Sequence, residues 1–173
     1  MVLKICLLGS IPKGDEIRKF WKDWKINYKN SLSKIDGIEF VDGDAWKEEE
    51  KSFLVFGHDS YLIKSSDIII VNAEAKLGAG TSQEMIIAKY FSKPVITVLP
   101  KDTHHRKSNV VFNSTNVPDW IHPFISAMSD IVVESVDEAC QWVQEYKENP
   151  KSKTIKNISV IDQAINSYLD YIR

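Results

Sequence analysis

Cysteine is scarce in this chain. There are two among 173 residues, Cys6 and Cys140, both with apolar neighbours and neither in a C-x-x-C pair. That excludes a disulfide framework and a thiolate zinc site, and it suits a reducing, cytoplasmic compartment. Net charge is equally small, at −2, so nothing draws the whole molecule to a nucleic-acid polymer or an anionic membrane. Any anion must be held by a local arrangement. A long apolar run is also missing. Val2 to Leu8 is too short to span a bilayer and no cleavage pattern follows it, so it reads as a first strand. The first glycine turn, Gly9 to Gly14, matches neither G-x-x-x-x-G-K-[ST] nor G-x-G-x-x-G. There is no internal repeat. What remains, 43% hydrophobic and 27% charged, is an ordinary globular composition of single-domain length.

The pattern along the chain alternates strand and helix. Ile5–Leu8 and Asp67–Val71 are continuous apolar runs of the kind buried on both faces of a parallel sheet. Gly37–Val41, Pro94–Leu99 and Ile131–Val133 supply three more strands. Helices are expected from Gly14 to about Leu32, with an apolar stripe of Ile17, Phe20, Trp21, Trp24 and Tyr28, and over Phe53–Lys64, Thr81–Phe91 and Val136–Tyr146. Asp42–Lys51, with its run of charge, reads as a solvated face. The stretch after Pro100, including His104–Lys107 and Asn113–Asn116, reads as a long polar loop, with Trp120 and His122 as core candidates. The expected fold is a single doubly wound α/β domain over residues 1–148. It has a five-stranded parallel sheet in the flavodoxin-like order 2-1-3-4-5 and helices on both faces. Residues 149–173 form a linker and an amphipathic last helix, packed on the domain or at a subunit interface.

That order puts the first and third strands side by side, so the loops Gly9–Gly14 and Asn72–Glu84 face one crevice. The second loop carries Gly78, Gly80, Thr81 and Ser82, then Glu84, placed in the first turn of a helix where the dipole favours an anion. Glu84 is thus either a favourable charge at a helix start or a carboxylate poised for chemistry, ionised at neutral pH. Asp59 and Asp67 fall in the same βα unit. Paired carboxylates are what glycosyl transfer needs, one at the oxocarbenium-like centre and one at the leaving group. Asp67, at a helix-to-strand junction, equally suits a turn cap. Lys13 and Arg18 add positive charge near the first turn, as ligand contacts or as surface residues.

The sequence G-S-I after the first strand, the pattern D-x7-D-I-I-I-V, and G-x-G-T-x-x-E followed by a helix and K-P-V-I resemble the nucleoside 2-deoxyribosyltransferase family. That family includes the 2′-deoxynucleoside 5′-monophosphate N-glycosidases. The resemblance spans about Lys4 to Leu99. It implies cleavage or exchange of the N-glycosidic bond of a nucleoside or nucleotide, without metal or cofactor, in a homodimer or larger assembly. It implies Glu84 as the nucleophile on C1′ and Asp59 near the base or sugar. It implies sugar or phosphate contacts from Gly9, Ser10 and Ile11, and it makes the glycine loop Gly78–Ser82. Two positions depart from the family. Cys6 stands where a tyrosine is common, and Pro12 where the monophosphate hydrolases carry arginine, a role that Lys13 can fill. Arg106, in the loop after the fourth strand, is a further expected phosphate contact. The rival readings are a nucleotide-sensing module that binds without turnover and a flavodoxin-like electron carrier.

Overall fold

A computed structural model of the chain describes residues 2–41 and 50–173; the charge run read as a solvated face lies largely outside them. The chain runs β1 (Leu3–Gly9), α1 (Asp15–Arg18), α2 (Lys25–Leu32), β2 (Ile38–Val41), α3 (Ser52–Ser65), β3 (Ile68–Asn72) and α4 (Ala79–Tyr90). It continues with β4 (Val95–Val98), β5 (Arg106–Phe112), β6 (Thr115–Ile121), α5 (Pro123–Met128), β7 (Ile131–Val133), α6 (Val136–Glu148) and α7 (Val160–Ile172). Five strands form one parallel sheet in the order β2-β1-β3-β4-β7. This is the doubly wound arrangement expected, with β7 as the fifth strand.

The apolar runs explain the layers. In β3, Ile68 and Ile70 face one core, with Tyr28 and Leu32 of α2 and Trp142 and Val143 of α6. Ile69 and Val71 face the other, with Ile63 of α3 and Met85 and Ala88 of α4. All four strand residues are fully buried, and each contributes about 1.5–3 kcal/mol of transfer free energy. A strand with helices on both faces needs this unbroken run.

The structure corrects the sequence reading in two segments. Residues 14–32 are not one helix. α1 is a single turn whose entry, Gly14, has φ of +90°, and α2 starts only at Lys25, so the aromatic residues between them lie in a connecting loop. The stretch after Pro100 is not an irregular loop either. β5 and β6 pair as an antiparallel hairpin outside the main sheet, turning at Asn113 and Ser114, both with positive φ. His122 and Trp120 are half-buried beside it.

A buried ion pair ties the second half together. The Lys89 ammonium meets the Asp130 carboxylate with both side chains out of water, and it also donates to Lys93 O at 3.0 Å. Asp130 accepts the Val95 N–H at 2.6 Å and the Lys156 N–H at 2.7 Å. Lys156 in turn donates to the Ser126 and Ser129 carbonyls, which fastens the C-terminal linker to α5. α7 follows with no buried residue. Among the described residues no helix is long and apolar enough to cross a membrane.

Removing Asp130 leaves a buried ammonium with a carbonyl as its one remaining partner. Asp130→Ala is therefore expected to destabilise the fold by about 3–5 kcal/mol in urea unfolding, whereas removal of the exposed Glu16–Lys19 pair changes stability by less than about 1 kcal/mol. Equal small effects would show that the buried pair is not a hub.

Candidate active site

β1 and β3 are in register with Gly9 opposite Asn72, so both chains leave the sheet at its carboxyl edge side by side. Here the strand order reverses, and open α/β sheets form their ligand crevice at such a point. A cavity of about 460 Å³ lies between the β1 loop, α3 and the start of α4. It is lined by Gly9, Ser10, Ile11 and Lys13 from the first loop, Asp59 from α3, and Gly78, Gly80, Thr81 and Glu84 from α4. The two loops and the two acids named from sequence are therefore brought together.

Three expected contacts are not. Asp67 sits before β3, at the opposite edge of the sheet, where its carboxylate accepts the Lys4 backbone N–H at 2.8 Å; it caps the strand entry. Arg106 is buried away from the cavity, its guanidinium donating to Asp119 at 2.8 and 2.7 Å and to Leu99 O at 3.0 Å, so it pins the hairpin to the sheet. Ser82 turns back and donates to Gly78 O at 3.2 Å.

Glu84 also departs from expectation in its place on the helix. α4 is capped at Gly78, so Glu84 belongs to the second turn, and no acid occupies the first. Its environment then overrides the dipole. Burial, with the Asp59 charge added, pushes Glu84 up to about 7, and Lys13 opposes the rise. The pair supplies one carboxyl that exchanges its proton near neutrality beside a second carboxylate. Asp59 is itself bonded to His58 Nδ1 at 3.1 Å.

The α4 N-terminus is arranged for an anion or polar ligand. Gly78 gives no side-chain cap, so the first-turn N–H groups remain open. A Cβ built on Gly78 or Gly80 would point into empty space, which leaves room for close approach to the backbone. The preceding loop is braced from the hairpin, because the Leu77 N–H donates to His105 Nε2 at 2.9 Å. Burial first, then His104, His122 and Lys76, hold the His105 pKa below its usual value and keep that nitrogen free to accept.

One charged cavity residue escaped the sequence reading. Lys25, the first residue of α2, is 4% exposed and lines the cavity with Lys13 and Arg18. A lysine opening a helix is by default a surface residue, and only the packing of the preceding loop turns it inward. Arg18 donates its Nε–H to Pro12 O at 3.0 Å, which fixes the loop at the position where the family carries arginine. Cys6 forms part of the floor. Among the described residues no group of three or more His, Cys, Asp or Glu is placed to hold a metal ion.

The fold has solved relatives. A 2-deoxyribosyltransferase from Bacillus psychrosaccharolyticus superposes with a TM-score of 0.52 at 18% identity, over 89% of this chain and 98% of that one. A CMP N-glycosidase from Clostridium botulinum matches at 17% identity and a TM-score of 0.45, over 81% of this chain and 97% of that one. The similarity to the deoxyribosyltransferase is one of fold. No protein-family model matches the chain, and no curated protein does.

The raised Glu84 value has a direct consequence for stability. Between the ordinary 4.5 and about 7 the folded chain holds a proton that the unfolded chain has released, so stability falls as pH rises through that window. Glu84→Gln removes the charge that must be buried above it. The variant is expected to be more stable than the native chain by on the order of 2 kcal/mol near pH 8, and nearly equal to it near pH 4. Urea unfolding at both pH values tests this; a gain of the same size at both would assign it to packing.

Proposed function

We propose that this chain cleaves or exchanges the N-glycosidic bond of a nucleoside 5′-monophosphate or the related nucleoside, with Glu84 as nucleophile and Asp59 assisting departure of the base. The observation that carries the reading is the pairing of Glu84 and Asp59 across one cavity at the switch point of the sheet. The order of motifs around them supports it, and so does the fold shared with a 2-deoxyribosyltransferase.

In the first step a Glu84 oxygen bonds to C1′ as the C1′–N bond breaks, and the electron pair leaves with the base, which takes up a proton from solvent delivered by way of Asp59. In the second, water or another base attacks C1′ and releases Glu84. Both steps are substitutions at carbon and transfer no electrons to a cofactor. Attack requires the ionised carboxylate, so turnover should rise with pH through about 7 and level off above it.

Lys13, Arg18 and Lys25 around the same cavity favour an anionic substrate, and they take over the phosphate contact that sequence had given to Arg106. The homo-oligomer implied by the resemblance has support in two uncovered faces. α7 presents Ile165, Tyr168 and Leu169 to water, and α3 presents Phe53 and Phe56. A second copy of the chain is the proposed cover for both.

Glu84→Ala should abolish base release, and Asp59→Asn should slow it about 10²–10⁴-fold with the fold intact. A 2′-fluoro nucleotide, which slows breakdown of the intermediate, should leave a covalent mass increment on Glu84 of the native chain. Near-native turnover in Glu84→Ala would sink the assignment. Binding of monophosphates with no base released by the native chain would point instead to a nucleotide-sensing module of the same fold. Lys25→Met should raise KM for a monophosphate about 10–100-fold, the value of one charged hydrogen bond, and leave KM for the nucleoside nearly unchanged. An equal rise for both would show that Lys25 holds the cavity wall and does not touch phosphate.

A further inference from the structure

A second cavity, of about 680 Å³, opens on the other side of the first loop and shares Ser10 with the candidate active site. Its walls are aromatic and its far end is polar. Trp21 and Trp24 line it, with Phe20 at the rim 87% exposed, and Asn72 and Glu74 close it at the carboxyl end of β3. Nothing in the proposed reaction uses these residues.

The cleft is rigidly built. Trp24 lies against Gly9 so closely that a Cβ there would fall 2.5 Å from its ring, and its indole N–H donates to Ser10 O at 3.0 Å. Tyr28 packs edge-on to Trp24, with ring centroids 5.1 Å apart, and donates its hydroxyl to Glu74 Oε1 at 2.8 Å. The Glu74 N–H donates to Asn72 Oδ1 at 3.0 Å. Each polar side chain is thus oriented through one oxygen. The second carboxylate oxygen of Glu74 and the amide N–H groups of Asn72 stay available to a ligand.

An acceptor beside a donor, next to a large aromatic face, is complementary to a flat ring that carries an amino group beside a ring nitrogen. We infer that this cleft is a second binding site, separate from the Glu84 cavity, for a planar aminopyrimidine-type heterocycle such as free adenine or cytosine. The amino group donates to Glu74, the adjacent ring nitrogen accepts from Asn72, and the ring stacks on Trp21. The cavity is within the size range of small-molecule sites, with room for one ring system. Trp21 also links the two cavities, since the Lys25 ammonium that lines the first lies 6.0 Å from the Trp21 ring centroid.

The test measures binding and needs no turnover, so it stands whether or not the chain cleaves a glycosidic bond. With the tryptophan indoles labelled for NMR, adenine and cytosine titrated into the whole chain are expected to shift Trp21 and Trp24 saturably. Trp142, buried in the core on α6, should not move. Glu74→Ala should weaken the effect at least about tenfold, the loss of one hydrogen bond to a charged group. Glu74 is exposed, so this variant should fold, and Trp21→Leu gives a second route to the same loss, read at Trp24. N6,N6-Dimethyladenine, which keeps the ring and loses the amino N–H donors, should bind correspondingly more weakly. The shifts should persist in an Asp59→Ala/Glu84→Ala double variant. No shift of Trp21, a shift unchanged by Glu74→Ala, or a shift lost in the double variant would each overturn the second site.

Discussion

Lys89 and Asp130 carry opposite charges into a part of the molecule that excludes water, and three further segments are bonded to them. The ammonium closes the turn after α4 through Lys93, and the carboxylate takes the first N–H of β4 and the N–H of Lys156. Burial pulls the lysine pKa down, and the hydrogen bond to Asp130 acts against that pull. Such a pair contributes little net energy over apolar packing, but its geometry admits few alternatives. The helix that bears Glu84 is consequently fixed in rotation and height against the sheet. The nucleophile role proposed for Glu84 would need that fixity, because small displacements from a productive approach are expensive in rate.

The cavity shows the opposite economy. Glu84 and Asp59 are like charges in a partly desolvated space, and Lys13 opposes the rise in Glu84 without removing it. A fold selected for stability alone would place a neutral side chain at one of the two positions. Such local disagreement between burial and charge clusters at functional sites in proteins generally. The open first turn of α4 belongs to the same pattern, because a side-chain cap there would stabilise the helix and occupy the donors a ligand needs.

Much of this architecture was legible in the sequence. The run Ile68–Val71 has the unbroken apolar content that only a strand covered on both faces requires, and the alternation around it dictates a parallel sheet. Order then placed the loops after β1 and β3 together, and with them Glu84 and Asp59. What could not be read depends on contacts distant in sequence. The stripe from Ile17 to Tyr28 has helical spacing, yet it divides: Tyr28 is core, Trp24 lies on the bare backbone of Gly9, and Phe20 stays in water. Arg106 has the composition of a phosphate ligand and the position of a bolt, because Asp119 faces it from the neighbouring hairpin strand. Lys25 has the composition of a surface residue and lies buried in the cavity wall. In each case the residue type was compatible with two fates, and a partner from another element chose between them.

The thiol in the cavity floor has a chemical corollary. Burial, then the charges of Glu84 and Asp59, push Cys6 up to about 12, so at neutral pH it carries essentially no thiolate. Burial raises Cys140 as well. Alkylating agents and peroxide act on the thiolate, so a warhead directed at Cys6 would find little nucleophile although the residue borders the cavity of Glu84. The same burial and charge that raise Glu84 hold the neighbouring sulfur as a thiol at neutral pH.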